Sequence, residues 1–560
     1  MNISANSPAR TEALLLIVFC GFLFFYGLGS FGLIGADEPR YAQVAREMLN
    51  RGDWITPTLN GQPWLEKPVL YYWQAMLTYR IARAISPGTS EGANRRSLAS
   101  ADSLADSTVN ERTARVPAAI DATLLIAAIV YFLRRWRPGS EFDAAFITAS
   151  CAGTIGFARA AATDMPLAAC LSIALLGWFD WRKTHERRGL GAFYIFLALG
   201  MLAKGPVAPV LAAVIVALFI AAKREWGLIL STLWIPGISL FLVAGLPWYV
   251  AVQMRNPEFF RTFVLEHNLA RFSSNIYHHP QPFWFYVPVF LLALAPWTIW
   301  LLAAGADHVR DLLDLGREWL DESESSWPLF LLIWMLVPIV FFSASQSKLP
   351  GYILPSVPAG ALLAADYLAE RREQGTEVPR FLASMHAILC GALVFGAIMA
   401  ATIAAHHRLV WGMATYIALG VGVIFAGGIL LALSSKNGRR LVREATMVAV
   451  VVSVGAIIRL AAPVIDATQS AKPIAESIRS FSHEPAPIAL FQVNRTTEYG
   501  LEFYLDRPTL KYEGGVPAEA HVLVAASGAD SAFRPLLGSR KVSYLTSVPQ
   551  QKLSVYWIGK

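Results

Sequence analysis

Thirteen apolar runs punctuate this chain, at about 12–33, 112–133, 141–158, 166–182, 190–203, 206–222, 227–250, 283–303, 327–345, 352–369, 381–404, 409–433 and 441–462. Many approach the roughly 20 apolar residues that cross the hydrocarbon core of a bilayer. None alternates apolar and polar positions as a strand of a membrane barrel does. In lipid, only helices or closed barrels satisfy every backbone N–H and C=O internally. The pattern therefore predicts an all-α polytopic membrane protein. The first run is too long and uninterrupted for a signal-peptide core and no small-residue cleavage site follows it, so it is expected as a retained span. The stretch 68–86 differs, because Gln74, Arg80 and Arg83 interrupt it among Tyr71, Tyr72, Trp73 and Tyr79. Such a mixture of rings and cations suits a helix lying in the membrane interface.

The basic loops set the orientation. If 68–86 crossed the membrane, "RRWRPG" (134–139), "WRKTHERR" (181–188) and "KRE" (223–225) would all face outward. With 68–86 in the interface they all face the cytoplasm, as do "RREQGTEVPR" (371–380) and "SSKNGRR" (434–440), in agreement with the positive-inside rule. This gives about thirteen spans, with the N-terminus inside and the C-terminus outside. A transmembrane domain is expected over 1–462 and a C-terminal domain over 463–560. Three segments then share the outer face: 34–111 with its interfacial helices, 251–282, and the tail. Within 34–111, the Ser/Ala-rich stretch 87–111 reads as a mobile loop. In the tail, "PIALFQV", "HVLVAA", "KVSYLTSV" and "LSVYWIG" read as strands, and "AKPIAESIRSF" and "TTEYGLEFYL" as helices. The tail is thus a small α/β domain. No internal repeat or inverted symmetry is evident.

Composition agrees. The 560 residues are 55% hydrophobic and only 16% charged, with mean hydropathy +0.45, against about 25% charged residues in soluble domains. The net charge of +7 is accounted for by cytoplasmic loops and calls for no nucleic acid partner. Cys20, Cys151, Cys170 and Cys390 all lie in apolar runs, without metal-ligand spacing or a disulfide framework. No P-loop, Rossmann fingerprint or G-x-S-x-G elbow occurs. A lipid-linked donor is therefore more economical than a nucleotide donor on the outer face.

Charge near membrane depth is costly, so it marks candidate sites. Asp37, Glu38 and Arg40 follow the first run, and "QPWLEKPVLYYW" supplies Glu66 and Lys67. "FARAAATDMP" supplies Arg159 and Asp164, and "LAKGPVAP" supplies Lys204. "LEHNLARF" supplies Glu266, His267, Asn268 and Arg271, and "SQSKLPGYILPSVP" supplies Lys348 and Tyr352. Each has an ordinary structural reading. Asp37 precedes Pro39 and suits a helix N-cap. Glu66 with Lys67, and Arg159 with Asp164, suit plain ion pairs. Lys204, Lys348 and Arg271 suit snorkelling anchors, and His267 an ordinary hydrogen-bonded histidine. Their convergence on one face favours a site for an anionic lipid head group, with cations binding phosphate and acids serving as bases or sugar ligands.

The acid pair after the first run resembles that of the GT-C membrane glycosyltransferases, as do "EKP", "RVPAA" (115–119), "ARAAATDMPLA" (158–168), "LAKGP" (202–206) and "SKLPGYILP" (347–355). The branch it is most similar to is the 4-amino-4-deoxy-L-arabinose lipid A transferases, related to dolichyl-phosphate-mannose protein mannosyltransferases. The resemblance implies a donor of undecaprenyl phosphate carrying aminoarabinose and a lipid A phosphate acceptor. It implies transfer with inversion on the periplasmic face of the bacterial inner membrane, and resistance to polymyxin as the consequence. It also implies that Asp37 is the leading catalytic acid, Asp164 the second, and Lys67 a donor-phosphate ligand.

The residues themselves leave the mechanism broader. A lipid A phosphate is already an anionic nucleophile, so positioning and neutralisation of the leaving phosphate matter most. Arg40, Lys67, Lys204, Arg271 and Lys348 are the pool for that task, with Tyr352 as a hydrogen-bond donor. Asp37 would orient the acceptor, bind the sugar ammonium or stabilise charge at the anomeric carbon. No cofactor is required by this scheme. A divalent ion, zinc or magnesium, would take Glu66 and His267, too few for a closed structural site. The chain is read as a monomer among membrane lipids. Competing readings are a relative using another polyprenyl-phosphate sugar and a protein or glycan acceptor, and a lipid transporter. A transporter would place charges near mid-span or carry matched broken helices.

Overall fold

The computed structural model describes residues 7–85, 108–263, 266, 281–375, 379–406, 408–434, 438–481 and 486–560. Every apolar run is mostly helical. Some are continuous, such as Glu111–Trp136, Asp164–Thr184, Arg187–Lys204, Val207–Lys223 and Ser326–Ser343. Others are divided: 141–158 breaks at Cys151, and 227–250 breaks between Thr232 and Ile235. Among the described residues, seven helices are long and apolar enough to cross a membrane. The remaining runs lie in helices that are shorter, bent, less apolar or more charged. The run 283–303 is a bent pair, Phe283–Ala293 and Thr298–Leu315, meeting at 117°. Pro296 sits in the break and cannot continue a helix ladder. The freed groups find partners: Ala152 N donates to Ala295 O at 2.9 Å and Thr298 Oγ1 to Leu291 O at 2.7 Å. Broken helix inside an apolar array is tolerated only with such compensation.

The basic loops meet at one end of the array. Arg135 pairs with Asp180 at 2.7 Å and Glu186 at 3.0 Å, and Arg137 with Asp366. Arg182 pairs with Glu225, and Arg371 with Asp307 at 3.0 Å. Arg372 and Arg443 share Asp143 at 2.8 and 2.7 Å. Segments far apart in sequence are thus tied into one ionic belt. Above it, Trp136, Trp178, Phe179, Phe219, Trp327 and Phe330 interlock as a ring cluster.

The opposite end carries the polar elements. The stretch 68–86 is the helix Leu70–Ile85, whose Tyr71, Tyr72 and Tyr79 are fully buried against the protein. A short hairpin pairs β1 (Thr58–Leu59) with β2 (Gln62–Pro63). Asn60 and Gly61 between them have φ of 54° and 74°, the conformation a two-residue hairpin turn demands.

The tail forms β3 (Ile488–Phe491), β4 (Thr509–Lys511), β5 (His521–Ala526), β6 (Val542–Val548) and β7 (Leu553–Ile558). Their order is β4-β3-β5-β7-β6, parallel across the first three strands and antiparallel across the rest. Alternation along β3 explains the layering. Ile488 and Leu490 face helices Lys472–Phe481 and Arg495–Leu505, while Ala489 and Phe491 face Asp530–Leu537. All four strands and both helices read from the tail are present. The three-residue β4 and eight-residue Asp530–Leu537 are additions too short to announce themselves.

Candidate active site

The helix Asp37–Arg51 begins at Asp37 itself, preceded by Ala36 with no side-chain cap. The N-cap expectation for Asp37 is therefore corrected. Its neighbour Glu38 reaches back instead, accepting from Ile34 N ahead of the helix at 2.8 Å. Pro39 sits in the first turn, where no N–H is needed. Freed from capping, the Asp37 carboxylate remains 51% exposed and pairs with Arg40 one turn on.

Arg40 is buried, and three rings enclose it: Trp64 at 4.9 Å, Tyr41 at 5.2 Å and Tyr499 at 5.3 Å from its guanidinium. Burial opposes the charge, but Tyr41, Asp37 and Glu66 outweigh it and raise the Arg40 pKa. Arg40 is thus permanently charged and committed to Asp37. These partners lie in three separate segments, so the sequence alone did not bring them together.

Glu38 turns inward. Arg115 Nε and Nη2 hold its two oxygens at 3.0 and 2.8 Å, and Ala161 N donates at 2.8 Å. Arg115 spends its other N–H groups on Leu28 O, Phe31 O and Gly32 O at 2.8–2.9 Å. This clamp joins the end of the first apolar run, the Asp37 helix, the Glu111–Trp136 helix and the loop before Asp164. Arg115 was visible inside "RVPAA" as a cation at the mouth of an apolar run, but nothing local named its partner.

Asp164 repeats the Asp37 device: it opens the helix Asp164–Thr184, with Pro166 in the first turn. Its Oδ1 meets Lys204 Nζ at 2.5 Å. Lys204 ends Arg187–Lys204, and its ammonium sits 4.7 Å from the Tyr352 ring centre. A Cβ at Gly351 would lie 2.7 Å from Asp164 Oδ1, so the "SKLPGYILP" loop rests on this pair, and the approach needs glycine. The pairing of Arg159 with Asp164 is corrected: Arg159 donates to Leu23 O and Gly27 O, both at 3.0 Å. Leu23 lies in the last turn of a helix, where carbonyls lack helical donors.

Tyr41 links the two acids. Burial, reinforced by Asp37 and further by Asp164, drives its phenol well above the ordinary range. Glu66 and Lys67 are half-buried after the hairpin, and Glu66 acts on both Arg40 and Tyr72. Lys348 is buried and donates to Ser345 O at 2.6 Å. Arg271 and His267 lie outside the described residues, so the Glu66–His267 metal pair has only Glu66 within them. Among the described residues no group of three or more His, Cys, Asp or Glu could hold a metal ion.

The fold has solved counterparts. ArnT from Cupriavidus metallidurans bound to undecaprenyl phosphate superimposes with TM-score 0.74 at 20% identity, covering 99% of this chain and 98% of that one. Its apo state gives 0.72. Residues 103–250 match the family model described as dolichyl-phosphate-mannose-protein mannosyltransferase. Helix array, charged end and small sheet domain together define a GT-C membrane glycosyltransferase. An undecaprenyl phosphate-alpha-4-amino-4-deoxy-L-arabinose arabinosyl transferase of Aeromonas hydrophila is 30% identical over 422 residues, 73% of this chain and 70% of its own. That of Pseudomonas aeruginosa strain UCBPP-PA14 is 31% identical over 66% of this chain and 62% of its own. The chain belongs to this family of arabinosyl transferases.

Proposed function

We propose that the protein transfers 4-amino-4-deoxy-L-arabinose from undecaprenyl phosphate to a lipid A phosphate, at the periplasmic face of the bacterial inner membrane, and that it acts as a monomer. The observation that carries this is the half-exposed Asp37, held by the buried Arg40 at the same end of the array as Asp164–Lys204. A phosphate oxygen of lipid A attacks the anomeric carbon from the face opposite the leaving group. The bond from that carbon to the undecaprenyl phosphate oxygen breaks, and its electron pair leaves with undecaprenyl phosphate. The acceptor is anionic already, so no proton is removed from it.

In this reading Lys67 and Lys204 neutralise the donor phosphate, with Lys348 and Arg271 beside them and Tyr352 donating a hydrogen bond. Lys204 does so while holding Asp164 in place. Asp37 presents its free oxygen to the sugar, where it holds the ammonium group and stabilises positive charge growing at the anomeric carbon. Because Arg40 pins the carboxylate, little reorganisation is left for the reaction itself. Modified lipid A carries less negative charge, which lowers its attraction for cationic peptides such as polymyxin. The test is purified protein with lipid A and undecaprenyl phosphate-aminoarabinose, followed by mass spectrometry. Addition of one amino pentose per transfer is expected. Unmodified lipid A, from a preparation that glycosylates another acceptor, would overturn the reading.

A further inference from the structure

The C-terminal domain reaches into the site. Its helix Arg495–Leu505, capped by Asn494 accepting from Thr497 N at 2.9 Å, lies along the Asp37–Arg51 helix. Tyr499 and Phe503, at i and i+4, share one helical face, and Asp506 follows as the left-handed C-cap. Arg40, Gln43 and Arg46 form the matching stripe on the other helix. The stripes meet pairwise: Arg40 against the Tyr499 ring, and Arg46 4.4 Å over Phe503. Arg46 Nη1 also donates to Phe503 O at 2.8 Å and Asp506 Oδ1 at 2.9 Å.

Around this seam the domain holds the rest of the segment. Gly32 N donates to Asp466 at 2.9 Å and Leu33 N to Tyr504 OH at 2.7 Å. Asn60 Nδ2 donates to Glu502 at 2.9 Å, and Lys472 pairs with Glu111 at 3.1 Å. Backbone or side chain is thus fastened on both sides of Asp37.

We infer that the C-terminal domain is part of the catalytic apparatus, with Tyr499 as a positioning residue that forms the third wall of the Arg40 box and so fixes Asp37. Trp64 and Tyr41 are supplied by Asp37's own outer segment. Without Tyr499 the box is open on one side, and Arg40 gains freedom to turn away from Asp37. The ring face is what holds the guanidinium, since a cation over an aromatic face is attracted by its quadrupole.

The inference rests on the proposed role of Asp37, so the assay includes Asp37→Asn as a reference. Full-length Tyr499→Phe, Tyr499→Leu and Tyr499→Met are compared with wild type for transfer to lipid A, each with a thermal unfolding curve. Tyr499→Phe is expected to keep kcat within about twofold. Tyr499→Leu is expected to lose about tenfold in kcat with an unchanged donor KM, the scale of one partly desolvated cation–ring contact. Tyr499→Met repeats the test with a flexible apolar side chain if the leucine variant unfolds early. Wild-type kcat in both non-aromatic variants, or an equal loss in the phenylalanine variant, would overturn the inference. If Asp37→Asn itself transfers normally, the reading of the site fails instead.

Discussion

Asp37 and Glu38 are adjacent carboxylates with opposite fates. Glu38 is almost wholly buried and accepts from Arg115, Ile34 N and Ala161 N, whereas half of the Asp37 side chain faces solvent. The difference follows from helix geometry, since consecutive residues point about 100° apart. Removing one partner of a buried pair strands the other charge, which costs about 3–5 kcal/mol. Arg115→Met is therefore expected to lower the thermal unfolding midpoint strongly, and Glu38→Leu combined with it to restore most of the loss. A double variant no more stable than Arg115→Met would show that Glu38 needs no partner. The acid pair was legible because charge directly after an apolar run is expensive. The Arg115 partnership was not, because the two residues are 77 positions apart and only folding brings them together. Tyr499 gave no signal at all, as one ring among many in a tail helix.

At the scale of elements, two short segments build the two acids. Asp-x-Pro opens both the Asp37 and the Asp164 helix, so each carboxylate sits at a helix start, where the dipole favours negative charge. The "SKLPGYILP" loop then closes over Asp164. In Gly351→Ala the new methyl would meet Asp164 Oδ1 at 2.7 Å and Phe157 Cε1 at 2.9 Å. Overpacking of this kind costs about 1–3 kcal/mol, and here it also pushes Asp164 off Lys204. Transfer is expected to fall about tenfold as the acid is displaced, while the chain still unfolds cooperatively. Undiminished kcat would show that Asp164 has room to move.

The docked tail helix offers a pH test. Burial raises the Glu502 carboxyl above its ordinary 4.5, despite hydrogen bonds from Asn60 and Thr509. The folded state therefore binds this proton more tightly than the unfolded chain. That stabilisation is complete below pH 4.5 and is lost as pH rises through the raised folded value. Glu502→Gln keeps an oxygen for Asn60 and removes the buried charge. Its unfolding midpoint is expected above wild type near neutral pH and equal to it below the ordinary carboxylate pKa. Equal midpoints at both would assign Glu502 no buried-charge cost. Strands and helices of the tail were legible from alternation and periodicity, but their docking on the Asp37 helix was not. That contact is written in side chains from two domains, neither of which is unusual alone.

The whole molecule separates an ionic belt at one end from the two helix-opening acids, Asp37 and Asp164, at the other. The apolar runs and basic loops announced this polarity, because lipid burial and loop charge act on long stretches. What they did not announce was which helices break, since breaks depend on partners such as Ala152 N for Ala295 O. Sidedness can be measured directly. All four native cysteines are buried, so a single introduced thiol reports cleanly. In intact cells a membrane-impermeant maleimide is expected to label Glu513→Cys, on the exposed surface of the tail, and to leave Glu373→Cys, beside the belt, unlabelled. The reverse pattern would invert the topology.

In the proposed mechanism Asp37, pinned by Arg40, drives aminoarabinose transfer. Its most direct test is single-turnover transfer to lipid A by Asp37→Asn, which keeps the side chain's shape and removes its charge. Donor is expected to bind still, the unfolding midpoint to stay near wild type, and no sugar to reach lipid A. Transfer at the wild-type rate by that folded variant would contradict it.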